Sequence, residues 1–173
     1  DIAISAGLAI QERATQIQNQ EKGLEELQKF LEIIDTYPGQ TWLRIAEGQE
    51  TEIVPMKFSG TTAKNITVDY SNGGDHYYMM VASMLHIVSL YRKHDMKPVD
   101  KIIDFLSWTY DNLLLSQYAL VYAILLFTGQ EKIKAPKGAN TNDIERIVSG
   151  CENQAWDISY LSNWSTLYWN SEE

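Results

Sequence analysis

The sequence predicts a predominantly α-helical fold with one small β hairpin at about residues 51–71. Three observations lead there. Apolar residues recur at helical spacing, beginning with Ile10, Ile17, Leu24 and Leu31. The run from Leu113 to Phe127 is almost wholly apolar, as a buried helix would be. Only Glu52–Phe58 and Asn65–Tyr70 show strand-like alternation, with Gly60-Thr61-Thr62 between them.

In chain order, residues 8–35 read as one long helix, its stripe thickened by Leu27 and Ile34. Tyr37-Pro38-Gly39 ends it. A short helix from Thr41 to about Gly48 follows, burying Trp42, Ile45 and Ala46. Pro55 places the hairpin at a sheet edge, because proline cannot donate to a ladder. Ser71-Asn72-Gly73-Gly74 forms a hinge, and Asp75 is placed to cap the next helix. From Asp75 to Lys93 the chain is apolar on most sides, with Ser83, His86 and Ser89 as a narrow polar stripe. Pro98 opens a further helix through Tyr110. The central apolar helix stops at Gly129. Lys132 to Asn140 is a loop. Asn142 and Glu145 form a capping pair for a helix ending at Ser149, with Gly150 as terminator. The last helix covers about Asn153 to Trp169. No repeat or composition break marks a second domain, so residues 1–173 are expected to form one domain. The opening at Asp1, without Met, is compatible with a segment trimmed from a longer chain.

Bulk properties narrow the function. Fourteen Lys and Arg against 23 Asp and Glu give a net charge of −9. That argues against a broad nucleic-acid-binding face, since such faces are basic. The lone Cys151 excludes an internal disulfide and suits a reducing compartment, so a cytoplasmic location is expected. The longest apolar run would span roughly 22 Å as helix, short of the ~30 Å hydrocarbon layer, so no membrane association is expected.

Common catalytic motifs are missing. His76, His86 and His94 have no zinc-site spacing. Neither a glycine-rich phosphate loop nor a Gly-x-Ser-x-Gly elbow occurs. Carboxylates remain. Asp157 shares a helical stripe with Leu161, Trp164 and Tyr168, flanked by Trp156, Tyr160 and Leu167. A buried carboxylate on such a stripe needs a partner or a metal. Glu47 falls at a helix C-terminus, where the dipole disfavours an acid. Asp1 precedes the apolar Ile2-Ala3-Ile4. If the three converged they could hold a hard divalent cation through oxygen ligands. The cation would be required, because two carboxylates about 4 Å apart repel by about 4 kcal/mol at an effective dielectric of 20.

Three segments carry a resemblance. Asp1-Ile2-Ala3-Ile4-Ser5 resembles the opening of PIN-like nuclease domains. Ala46-Glu47-Gly48 resembles their second acidic segment, and Gln154-Ala155-Trp156-Asp157-Ile158-Ser159-Tyr160-Leu161 their third. The resemblance implies a three-layer α/β/α fold if flanking strands exist. It also implies Mg²⁺ or Mn²⁺ held by Asp1, Glu47 and Asp157, and RNA as substrate. Metal-bound water would then cleave a phosphodiester, as in toxin or defence ribonucleases.

The alternative is a non-enzymatic, acidic helical domain that binds another protein. The C-terminal aromatics Trp156, Tyr160, Trp164, Tyr168 and Trp169 would supply anchors. Of these, Trp156, Tyr160 and Trp164 are expected in the core, and Trp169 outside it.

Overall fold

The computed structural model describes residues 6–51 and 69–170. Asp1 and most of the expected hairpin lie outside the described residues. Those described contain seven helices and no strand. The chain divides into two compact units, Asp1–Gly73 and Gly74–Glu173, with the boundary inside the expected hinge.

The first unit holds α1 (Gly7–Ile17), α2 (Gln20–Thr36) and α3 (Gly39–Ala46). Residues 8–35 are therefore two helices, not one. Gln18 takes the left-handed conformation at φ 49°, which ends α1. Asn19 then caps α2, its side chain accepting from the Lys22 N–H at 3.1 Å. The hydrophobic period runs unbroken across this turn, so it could not reveal the turn. Helices α1 and α2 pack closely at Gly23, where an added Cβ would lie 2.9 Å from the Ala14 Cβ. Ile10 and Leu27 are buried between them, with Ala6, Phe30, Leu31 and Tyr70 packed around. No residue of α3 is fully buried, and the expected core residue Ala46 is exposed.

The second unit holds α4 (Gly74–Tyr91), α5 (Pro98–Asn112), α6 (Gln117–Phe127) and α7 (Ile144–Asn170). Helix α4 packs against the other three. This explains why it is apolar nearly all round: Met80, Met84, Ile87 and Leu90 are wholly buried. Phe105, Ala123, Cys151, Ala155 and Trp156 are among the residues that pack with them in the core. Lys101 is buried at the start of α5. Its ammonium donates to the Tyr91 carbonyl at 3.3 Å and lies 5.7 Å from the Phe127 ring centre.

Three boundaries differ from expectation. The apolar run becomes helical only at Gln117, after Ser116 caps α6 by accepting from the Ala119 N–H. Leu114 and Leu115 are left exposed in the preceding link. The cap of α7 is Asp143, which accepts from the Arg146 N–H at 3.1 Å, while Asn142 accepts from Arg92 instead. Gly150 terminates nothing, because α7 runs through it for 27 residues. Its role is close packing: a Cβ there would sit 1.8 Å from the Lys137 carbonyl oxygen. No helix among the described residues is long and apolar enough to cross a membrane.

Candidate functional site

Helix α7 turns two different faces outward and inward. Cys151, Ala155, Trp156, Ile158 and Ser159 face the core against α4. Trp156 stacks on Tyr77 with ring centres 4.3 Å apart, and this anchors the helix. The stripe of Asp157, Leu161, Trp164 and Tyr168 is present as the sequence implies, but it faces solvent. Trp164 is 69% exposed, Trp169 66% and Tyr168 56%. The expectation of a core Trp164 is thus corrected, while Trp156 is in the core and Trp169 is outside it. Periodicity defines a stripe without saying which side of it packs.

The exposed rings form one wall of a hollow of about 300 Å³, lined by Tyr118 of α6 and by Leu161, Trp164, Ser165, Tyr168 and Trp169 of α7. Tyr168 and Trp169 meet edge to face, with centres 5.2 Å apart and planes at 86°. Trp164 and Tyr168 are tilted at 44° with centres 6.4 Å apart. Tyr118 follows the polar Ser116-Gln117 pair inside the longest apolar run, a context that gives no sign of a surface hollow. A second, shallower hollow of about 420 Å³ lies along α2, lined by Lys29, Glu32, Ile33, Thr36 and Tyr37. It holds one aromatic ring and both signs of charge, so it has less to offer a partner.

The electrostatics of the aromatic hollow are one-sided. No Lys or Arg occurs between Lys101 and Lys132, or after Arg146. Both walls are therefore free of cations, while Asp157 stands exposed one turn before Leu161.

The acids considered as metal ligands occupy ordinary surface positions where they are described. Glu47 is exposed and accepts from Gln49 Nε2 at 2.8 Å. Asp157 is exposed, not buried, and accepts from Gln154 Nε2 at 3.4 Å. Solvation removes the cost that made Asp157 look like half of a site. Glu47 and Asp157 belong to different units. Among the described residues, no group of three His, Cys, Asp or Glu side chains is placed to hold a metal.

Two other polar arrangements stand out. His86 Nε2 lies 3.1 Å from Asp104 Oδ1, and its ring stacks on Trp108 at 4.2 Å. Burial lowers the His86 pKa from the usual value, partly opposed by Asp104. Inside the core, Trp156 Nε1 and Ser159 Oγ have no hydrogen-bond partner among the described residues. Cys151 is buried beside Gly150, and burial pushes its thiol up to about 11, which leaves it a poor nucleophile.

No protein-family model, curated protein or solved structure matches the chain.

Proposed function

We propose that this chain is a protein-interaction module whose α6–α7 hollow seats an amphipathic, cationic segment of another protein. The observation that carries this reading is the exposure of Trp164, Tyr168 and Trp169 along one wall. Three large rings grouped at the surface forgo burial that the core would otherwise provide. Contiguous apolar patches of this kind mark binding sites more often than isolated exposed residues do. Tryptophan and tyrosine are also the side chains that dominate binding energy at interfaces. The partner's charge follows from the walls, which lack cations, and from a chain of net charge −9. A helix with apolar positions at i, i+3, i+4 and i+7 suits a hollow that runs beside α7.

The test uses a helical peptide with leucines on one face and arginines on the other. Its titration is followed by the indole N–H resonances of Trp164 and Trp169. Both resonances should move, and Trp164→Ala or Trp169→Ala should weaken binding by about 30-fold, the loss typical of an interface anchor. Indoles that stay still, or unchanged affinity in both variants, would overturn the reading. The ribonuclease expectation, with Asp1, Glu47 and Asp157 on Mg²⁺ or Mn²⁺ and RNA as substrate, gains no support from the described geometry.

A further inference from the structure

We infer that the corner formed by Trp164, Tyr168 and Trp169 is a seat for a cation, taking the guanidinium of a partner arginine or the ammonium of a partner lysine. The inference rests on the interaction reading above and specifies what enters the hollow first. Aromatic faces carry the negative lobes of the ring quadrupole, and a cation within about 6 Å of a ring centre is attracted to them. Here the three rings do not stack face to face. Tyr168 meets Trp169 edge to face at 86° and is tilted at 44° to Trp164, and all three rings line the same hollow. Tyr118 of α6 also lines it, so four rings border the hollow.

Charge adds a second, independent argument. An aromatic hollow with a resident Lys or Arg would already hold its own cation. Neither α6 nor the part of α7 beyond Arg146 has one to offer. The nearest charge on the α7 stripe is Asp157, exposed and one helical turn from Leu161. It lies seven to twelve residues before the three rings, about 10–18 Å along the helix, where screening leaves it only a weak part in drawing a cation to them. The indole and phenol rings also supply flat stacking surfaces, which favour the planar guanidinium over the compact, strongly hydrated ammonium.

A neutral apolar side chain would also fit the volume, so the experiment compares charge at constant shape. The probe is a leucine-faced helical peptide with one arginine at the centre of that face, and its counterpart with citrulline, the neutral isostere of arginine, at the same position. Both are titrated against the full chain and against Trp164→Leu and Trp169→Leu, which keep the wall apolar and remove the ring faces. Wild type should prefer the arginine peptide by about 10-fold, the ratio of a partly desolvated cation–π contact. In the leucine variants that preference should fall to about 2-fold or less. Unaltered thermal melts would show that the variants fold, as exposed positions predict. Equal binding of the two peptides to wild type would overturn the cation seat and leave the hollow as an apolar groove. A preference that survives both leucine variants would overturn it as well, assigning the effect to net charge. If neither peptide binds, the interaction reading fails and the inference falls with it.

Discussion

The carbonyl oxygen of Lys137 occupies the space a side chain on Gly150 would need: the two points are 1.8 Å apart. Backbone meets backbone here, so no rotamer change can relieve a clash. Gly150→Ala should destabilise the protein by about 3 kcal/mol, at the upper end for an overpacked site. Equilibrium urea denaturation would check this, and a loss under about 1 kcal/mol would mean that the 132–140 loop gives way easily.

The five tryptophans should separate into distinct energetic classes. Trp156 is 1% exposed and stacked on Tyr77, so Trp156→Ala should cost about 3–5 kcal/mol. Trp164→Ala should change stability by less than about 0.5 kcal/mol, as at other surface positions. A large destabilisation by the second substitution would place its ring in the core and remove the basis for the binding face.

His86 makes stability depend on pH in a known direction. Burial lowers its pKa in the folded chain, against the raising effect of Asp104, while Lys93 lowers it further. In the unfolded chain the ring titrates near the ordinary value of about 6.5. Below that pH the unfolded state takes up the proton first, so stability is full above about 6.5 and declines as pH falls toward the folded-state value. Replacing His86 by Gln should flatten this part of the profile. Denaturant midpoints of both proteins at several pH values between neutrality and mild acid would decide it, and parallel profiles would contradict the assignment.

Cys151 should be silent in the native protein. It is buried, and its thiol is pushed up to about 11, so almost no thiolate exists at neutral pH. A chromogenic disulfide reagent should titrate no thiol in the folded chain and one after denaturation in urea. Rapid native labelling would show that α7 opens locally near Gly150.

Much of the helical fold was legible from periodicity, because α2, α5 and α7 each pack one stripe. What periodicity could not supply were breaks governed by single residues. Gln18 and Asn19 interrupt a continuous apolar pattern, and the interruption depends on a left-handed backbone that glutamine seldom adopts. Gly150 shows the opposite error. Glycine most often ends helices, yet here it permits close approach of a loop to the middle of one. At the candidate site, spacing correctly grouped Asp157, Leu161, Trp164 and Tyr168. It misjudged their environment, because which face of α7 packs is fixed by α4, a distant segment. Burial was the premise for treating Asp157 as costly, and exposure takes that premise away.

Helix α7 extends about 40 Å at the usual rise, with its buried residues gathered in the middle turns. Its middle turns are clamped by Cys151, Ala155 and Trp156, whereas its final turns carry mainly exposed rings. Amide protons should therefore exchange along a gradient, slow near Cys151 and fast toward Trp169. A molecule resting on those rings would retard exchange from the carboxyl end first, so the helix would report occupancy as a shift in where its fraying begins.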